Sequence, residues 1–88
     1  MSLVLIVEDN ERNLKLVRDV LGFAGFSVLE ARDAEAGIEL ARAQKPDVVL
    51  MDINLPGMTG FEALTALRAD VATAFVPVIM ITASGEAA

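Results

Sequence analysis

Four positions set an acid or a hydroxyl at the end of an apolar run: Glu8 and Asp9 after "LVLIV", Asp52 after "VVLM", and Thr82 after "VIMI". A carboxylate is costly to take out of water, so an acid that closes a buried run needs a reason. One reason is local, each acid capping the turn that follows it. The other is chemical. If the runs are neighbouring strands of one sheet, Glu8, Asp9 and Asp52 meet at one rim with the Thr82 hydroxyl beside them. Carboxylates gathered in this way repel one another, and their pKa values rise unless a cation or donors sit among them. Mg2+ answers that pattern, because it takes a few carboxylates plus waters at about 2.0–2.1 Å and shares phosphate oxygens.

The elements needed to position these groups follow from hydrophobic period. "LVLIV" (3–7) reads as a strand buried on both faces. From Glu11 to about Phe23, Leu14, Val17, Leu21 and Ala24 recur at helical spacing, and Gly22 and Gly25 mark the end. "FSVLEA" (26–31) is a second strand. Asp33 caps a helix over 34–43 that faces Ile38 and Ala41 inward and stops at Pro46. "DVVLMD" (47–52) is a third strand. Thr59 opens a third helix, with Thr59-x-x-Glu62 as a capping box and Phe61, Leu64, Leu67 and Val71 as its inner stripe. "VPVIMIT" (76–82) is a fourth strand, with Pro77 tolerated near its start. Strands alternating with helices give βαβαβαβ, a parallel α/β sheet with helices on both faces. In such sheets ligands sit beyond the carboxyl ends of the strands, where the acids fall.

The totals narrow the chemistry. An 88-residue chain makes one small domain, and 55% hydrophobic residues are enough for a core. Thirteen acids against seven bases, a net charge of −6, argue against direct nucleic-acid binding. With no cysteine there are no disulfides, zinc-thiolate sites or thiol nucleophiles, and with no histidine there is no Ser-His triad. No run is long enough to cross a membrane and no signal peptide is evident, so a cytoplasmic address is expected.

"LVLIVEDN", "PDVVLMDINLPGMTGFE" and "VPVIMITA" together resemble the receiver domain of bacterial two-component response regulators. The acidic pair, the Asp-x-x-x-Pro-Gly-x-x-Gly segment and the hydroxyl closing the fourth strand come in the family's order and spacing, and the likeness covers residues 1–88. It implies a flavodoxin-like doubly wound sheet of strand order 2-1-3-4-5. It also implies a signalling domain, not an enzyme, in which Asp52 accepts a phosphoryl group from a histidine kinase or phosphotransfer protein as an aspartyl phosphate. Mg2+ would be held by Asp9, by Glu8 through water, by Asp52 and by the backbone carbonyl of Asn54. Thr82 would contact the phosphoryl group and act as a switch, Asn54 and Ser84 would tune its lifetime, Pro56-Gly57 would turn the loop, and Gly60 would let backbone pass closely.

The family pattern continues through a fourth helix, a lysine-bearing fifth strand and a fifth helix, whereas this sequence stops at Ala88, so a truncated receiver is expected. Its lysines, Lys15 and Lys45, fall inside the first helix and at the far end of the second, leaving the site without a catalytic lysine. Self-association through the strand-four side is expected, since "VIMI" would form an open edge without protecting charges. Two other functions compete. An aspartyl-nucleophile phosphatase would want a second Asp where Asn54 stands, and a receiver-like interaction module would turn over no phosphate. A nucleotide-binding domain is disfavoured, because "VEDNERN" is no glycine-rich phosphate loop.

Overall fold

Leu3–Val7 form β1, whose residues from Val4 onward are buried, as a continuous apolar run requires when both faces are covered. The structure is a computed structural model and describes residues 2–81. β2 (Ser27–Ala31), β3 (Val48–Asp52) and β4 (Val78–Ile81) complete one parallel sheet in the order β2-β1-β3-β4. This is the flavodoxin-like arrangement. The register pairs Val7 with both Ala31 and Met51, and Asp52 with Ile81.

Because side chains alternate along a strand, the sheet sorts its residues into two layers. Val4, Ile6, Val28, Val48 and Leu50 pack under α1 (Glu11–Phe23) through Leu14, Val17 and Leu21. Leu5, Val7, Ala31, Val49 and Met51 pack under α2 (Ala34–Gln44) and α3 (Gly60–Ala69).

The helix ends have local causes. Asn10 caps α1, with its side chain accepting from the Asn13 amide. The helix closes with Gly25 at φ 96° and with the Gly25 and Phe26 amides donating to the carbonyls of Gly22 and Leu21, a Schellman motif. Gly22 therefore lies inside the helix, and Ala24, expected to face inward, is its exposed C-cap. Asp33 caps α2 as read from the sequence. Lys45 ends that helix in the left-handed region, at φ 49°, before Pro46. The capping box of Thr59 and Glu62 is present, with both hydrogen bonds made.

The inner stripe of α3 differs from expectation. Phe61 is 56% exposed, and Val71 is 88% exposed and lies beyond the helix. Leu67 is buried as expected, but Gly60 and Ala63 are the other buried positions, because α3 sits too close to the sheet for larger side chains near its start. β4 begins two residues later than expected. Residues 70–77 form a turn in which the Thr73 hydroxyl donates to the Leu67 carbonyl and Arg68 holds the carbonyls of Ala74 and Val76. Among the described residues no helix is long and apolar enough to cross a membrane.

Candidate metal and phosphoryl site

The Glu8 amide donates to the Ala31 carbonyl at 3.0 Å, which extends the β1 ladder by one residue and brings the Glu8 side chain under the rim. Glu8 is 1% exposed, whereas Asp9 stands in solvent. The Asn10 amide donates to Glu8 Oε2 at 3.1 Å, so the residue that caps α1 also holds one oxygen of the acid two positions earlier. Among the described residues, Glu8 Oε1 is buried without a hydrogen-bond partner.

Asp52 is the last residue of β3 and is 5% exposed. The Asn54 amide donates to its Oδ1 at 3.3 Å, and the Ile53 amide donates to the Ile81 carbonyl, which fixes the turn leaving the strand. Since β1 and β3 are hydrogen-bonded neighbours, one carboxylate oxygen from each of Glu8, Asp9 and Asp52 lies within 4.8 Å of the others. Burial pushes the Glu8 carboxyl up from its usual range. Asp52 and Asp9 push it further the same way, and the Asn10 amide partly opposes them.

This is the arrangement of a hard divalent cation site: oxygen donors only, an excess of negative charge, and a buried oxygen lacking a donor. None of the salt bridges among the described residues reaches these acids. Lys15 is held by Asp19 at 2.6 Å, and Arg32, beside the rim at the end of β2, is held by Glu11. Lys45 lies at the C-terminal end of α2. A hollow of about 520 Å³, lined by Arg32, Ala34, Glu35 and Pro56 to Met58 among others, opens between the loops that follow β2 and β3.

Residues 4–88 match the family model described as "Response regulator receiver domain". The chain belongs to the response regulator receiver family. It is 42% identical over 80 residues to the polar-differentiation response regulator DivK of Brucella anthropi, covering 91% of this chain. The chain spans 65% of the length of that relative. Among solved structures it is similar to the N-terminal domain of a response regulator receiver protein from Methanoculleus marisnigri, with TM-score 0.90, 32% identity and 93% of this chain and 67% of that one covered. It is also similar to the receiver domain of a Pseudomonas aeruginosa sensor histidine kinase, with TM-score 0.89, 31% identity and 98% and 70% covered. That structure has a magnesium ion coordinated in its active-site cleft.

The receiver fold thus brings together the three acids named from the sequence. Asn54 stands exposed at the edge of the cluster, and Thr82 and Ser84 lie outside the described residues. Sequence reasoning missed Asn10. The signal was present, since an Asn directly before an acidic first turn is a common helix cap. It also missed Arg32, a cation already on the rim.

Proposed function

We propose that the chain is the phospho-accepting domain of a two-component system, taking a phosphoryl group onto Asp52 from a phosphohistidine on a histidine kinase or phosphotransfer protein. The observation that carries this reading is the convergence of Glu8, Asp9 and Asp52 within 4.8 Å at the end of neighbouring strands. Asp9, Asp52 and the Asn54 backbone carbonyl would hold Mg2+, with Glu8 contributing through water. The orphaned Glu8 oxygen and the all-oxygen donor set fit that ion. When bound, the ion offsets negative charge on the carboxylates and on the phosphoryl oxygens.

The residues of the chain do the positioning. The Asn54 amide holds Asp52 Oδ1, orienting the carboxylate so that an oxygen attacks phosphorus. The P–N bond breaks, and its electron pair leaves with the donor imidazole. Burial of Asp52 at the end of a paired strand reduces the side-chain freedom lost on reaching that geometry. Thr82 supplies a hydroxyl to the phosphoryl group in this reading, and Asn54 and Ser84 tune how long it survives. The domain acts as a switch in the cytoplasm, not as an enzyme with its own substrate. The outer edge of β4, unpaired among the described residues, favours self-association through that side.

One observation favours the rival, an interaction module that turns over no phosphate: Arg32, which follows the end of β2, is already engaged by Glu11. Incubation with acetyl phosphate separates the two. Label on Asp52 that needs Mg2+ and is absent with EDTA supports phosphoacceptance, and absence of label at saturating Mg2+ supports the module.

A further inference from the structure

The start of α3 rests on the peptide of Asp52. The Gly60 amide donates to the Ile53 carbonyl at 2.7 Å, turning the chain back against the end of β3 after eight residues. A Cβ at Gly60 would overlap the Asp52 carbonyl oxygen, and it would fall 2.7 Å from the terminal methyl of Met80 and 3.0 Å from the Ile53 Cα. These obstacles differ in kind. The Met80 methyl ends a flexible side chain on β4 and can swing aside. The Asp52 oxygen and the Ile53 Cα are backbone in a hydrogen-bonded strand end, and neither moves unless Asp52 moves with it. The Gly60 φ is not among the positive ones, so the glycine is needed here for closeness and not for backbone conformation.

We propose that Gly60 is a positioning residue for the phosphoryl site: by lacking a side chain it lets the first turn of α3 press on the Asp52 peptide, so that carboxylate and helix start behave as one body. This rests on the phosphoacceptor reading and extends it, for it makes α3 the element that holds the acceptor in register with Glu8 and Asp9. Asp52 carries its Oδ1 contact to Asn54 on the same segment, so a shift of its backbone displaces both the carboxylate and the Asn54 carbonyl from the acid cluster.

The test compares Gly60→Ala with Leu67→Ala, a buried position two turns further along α3, by Mn2+ titration calorimetry at a temperature where circular dichroism shows each variant folded. Gly60→Ala should weaken Mn2+ binding about tenfold or more, the range seen when groups supporting metal ligands are lost, while Leu67→Ala should lower the melting temperature and leave affinity unchanged. Adding Met80→Ala to Gly60→Ala should recover melting temperature without recovering affinity. Parental affinity in Gly60→Ala, or recovered affinity in the double variant, overturns the proposal. Should Gly60→Ala not fold, the parent decides alone: saturating Mg2+ should slow hydrogen exchange of the Gly60 amide, and an unchanged rate overturns the proposal. A parent that binds no Mn2+ defeats the phosphoacceptor reading itself, an outcome distinct from these.

Discussion

Glu8 and Asp52 bury carboxylates at the ends of adjacent strands with oxygens within 4.8 Å of each other, and one oxygen of Glu8 has no donor among the described residues. Such a pair destabilises the metal-free fold, because two negative groups are desolvated side by side. Glu8→Gln removes one charge at almost constant shape. Metal-free, the variant should be more stable than the parent by about 1 kcal/mol, read from urea unfolding at neutral pH, and it should lose most of its response to Mg2+. A less stable variant would mean that the Glu8 charge is already compensated.

A ligand that binds only the folded chain raises stability by mass action. Mg2+ or Mn2+ should therefore raise the melting temperature of the parent in a concentration-dependent way. Asp9→Ala, which removes the exposed member of the cluster, should abolish the rise. A melting temperature indifferent to either ion would show that the three acids do not act as one site.

Asp52 should be the position labelled by a small phosphodonor, and Asp52→Asn should remove the label. The phosphoryl group brings a charge of about −1.5 to −2 to a site without a catalytic lysine among the described residues, with Arg32 paired to Glu11, so labelling should be slow. Mass spectrometry over a time course gives the rate. Labelling complete within seconds would show that the rim is better neutralised than these pairs suggest.

Asp70 gives the acid limb of stability a specific cause. The Ala72 amide and the Arg42 guanidinium both stabilise its ionised form and hold its carboxyl below the usual value. The folded chain therefore binds this proton less readily than the unfolded chain. The contribution of Asp70 is fully present above the ordinary carboxylate pKa, near 3.9, and is lost as pH falls through the depressed one. Asp70→Asn should flatten the fall in melting temperature over that acid window. A parental acid limb would place the loss at other carboxylates.

β4 offers its outer backbone edge unpaired among the described residues, with Ile79 52% exposed on the α1 side of the sheet. Edges of this kind pair with other strands unless protected. Light scattering on the 88-residue chain should show concentration-dependent association, and Ile79→Lys should reduce it. A monodisperse monomer at high micromolar concentration would rule this out.

What could be read from the sequence was whatever one residue type decides alone. The run 3–7 needed no partner to read as a buried strand, Asp33 announced a cap, and Thr59 with Glu62 declared both ends of a capping box. The acids could be placed together once the strand order was implied. What failed depended on distances between elements. Phe61 and Val71 matched the helical period, but the close seating of α3 handed burial to Gly60 and Ala63. Arg32 acquires its importance through Glu11, a contact that exists only after folding, whereas Asn10 lies two residues from Glu8 and was legible as a helix cap.

The parallel register also has a consequence in time. Leu3 must find Ser27 across α1, Val49 must find Val78 across α3, and Val4 must find Val48 across two helices and β2. No ladder can therefore close locally, and each association costs the entropy of a long loop before any sheet hydrogen bond forms. β1, the most apolar strand, is made first, yet the second of its two neighbours is completed only when residue 52 has been added. Through that interval it is held by β2, α1 and α2 without β3, so the acids that define the site are assembled late, when β3 slots into place.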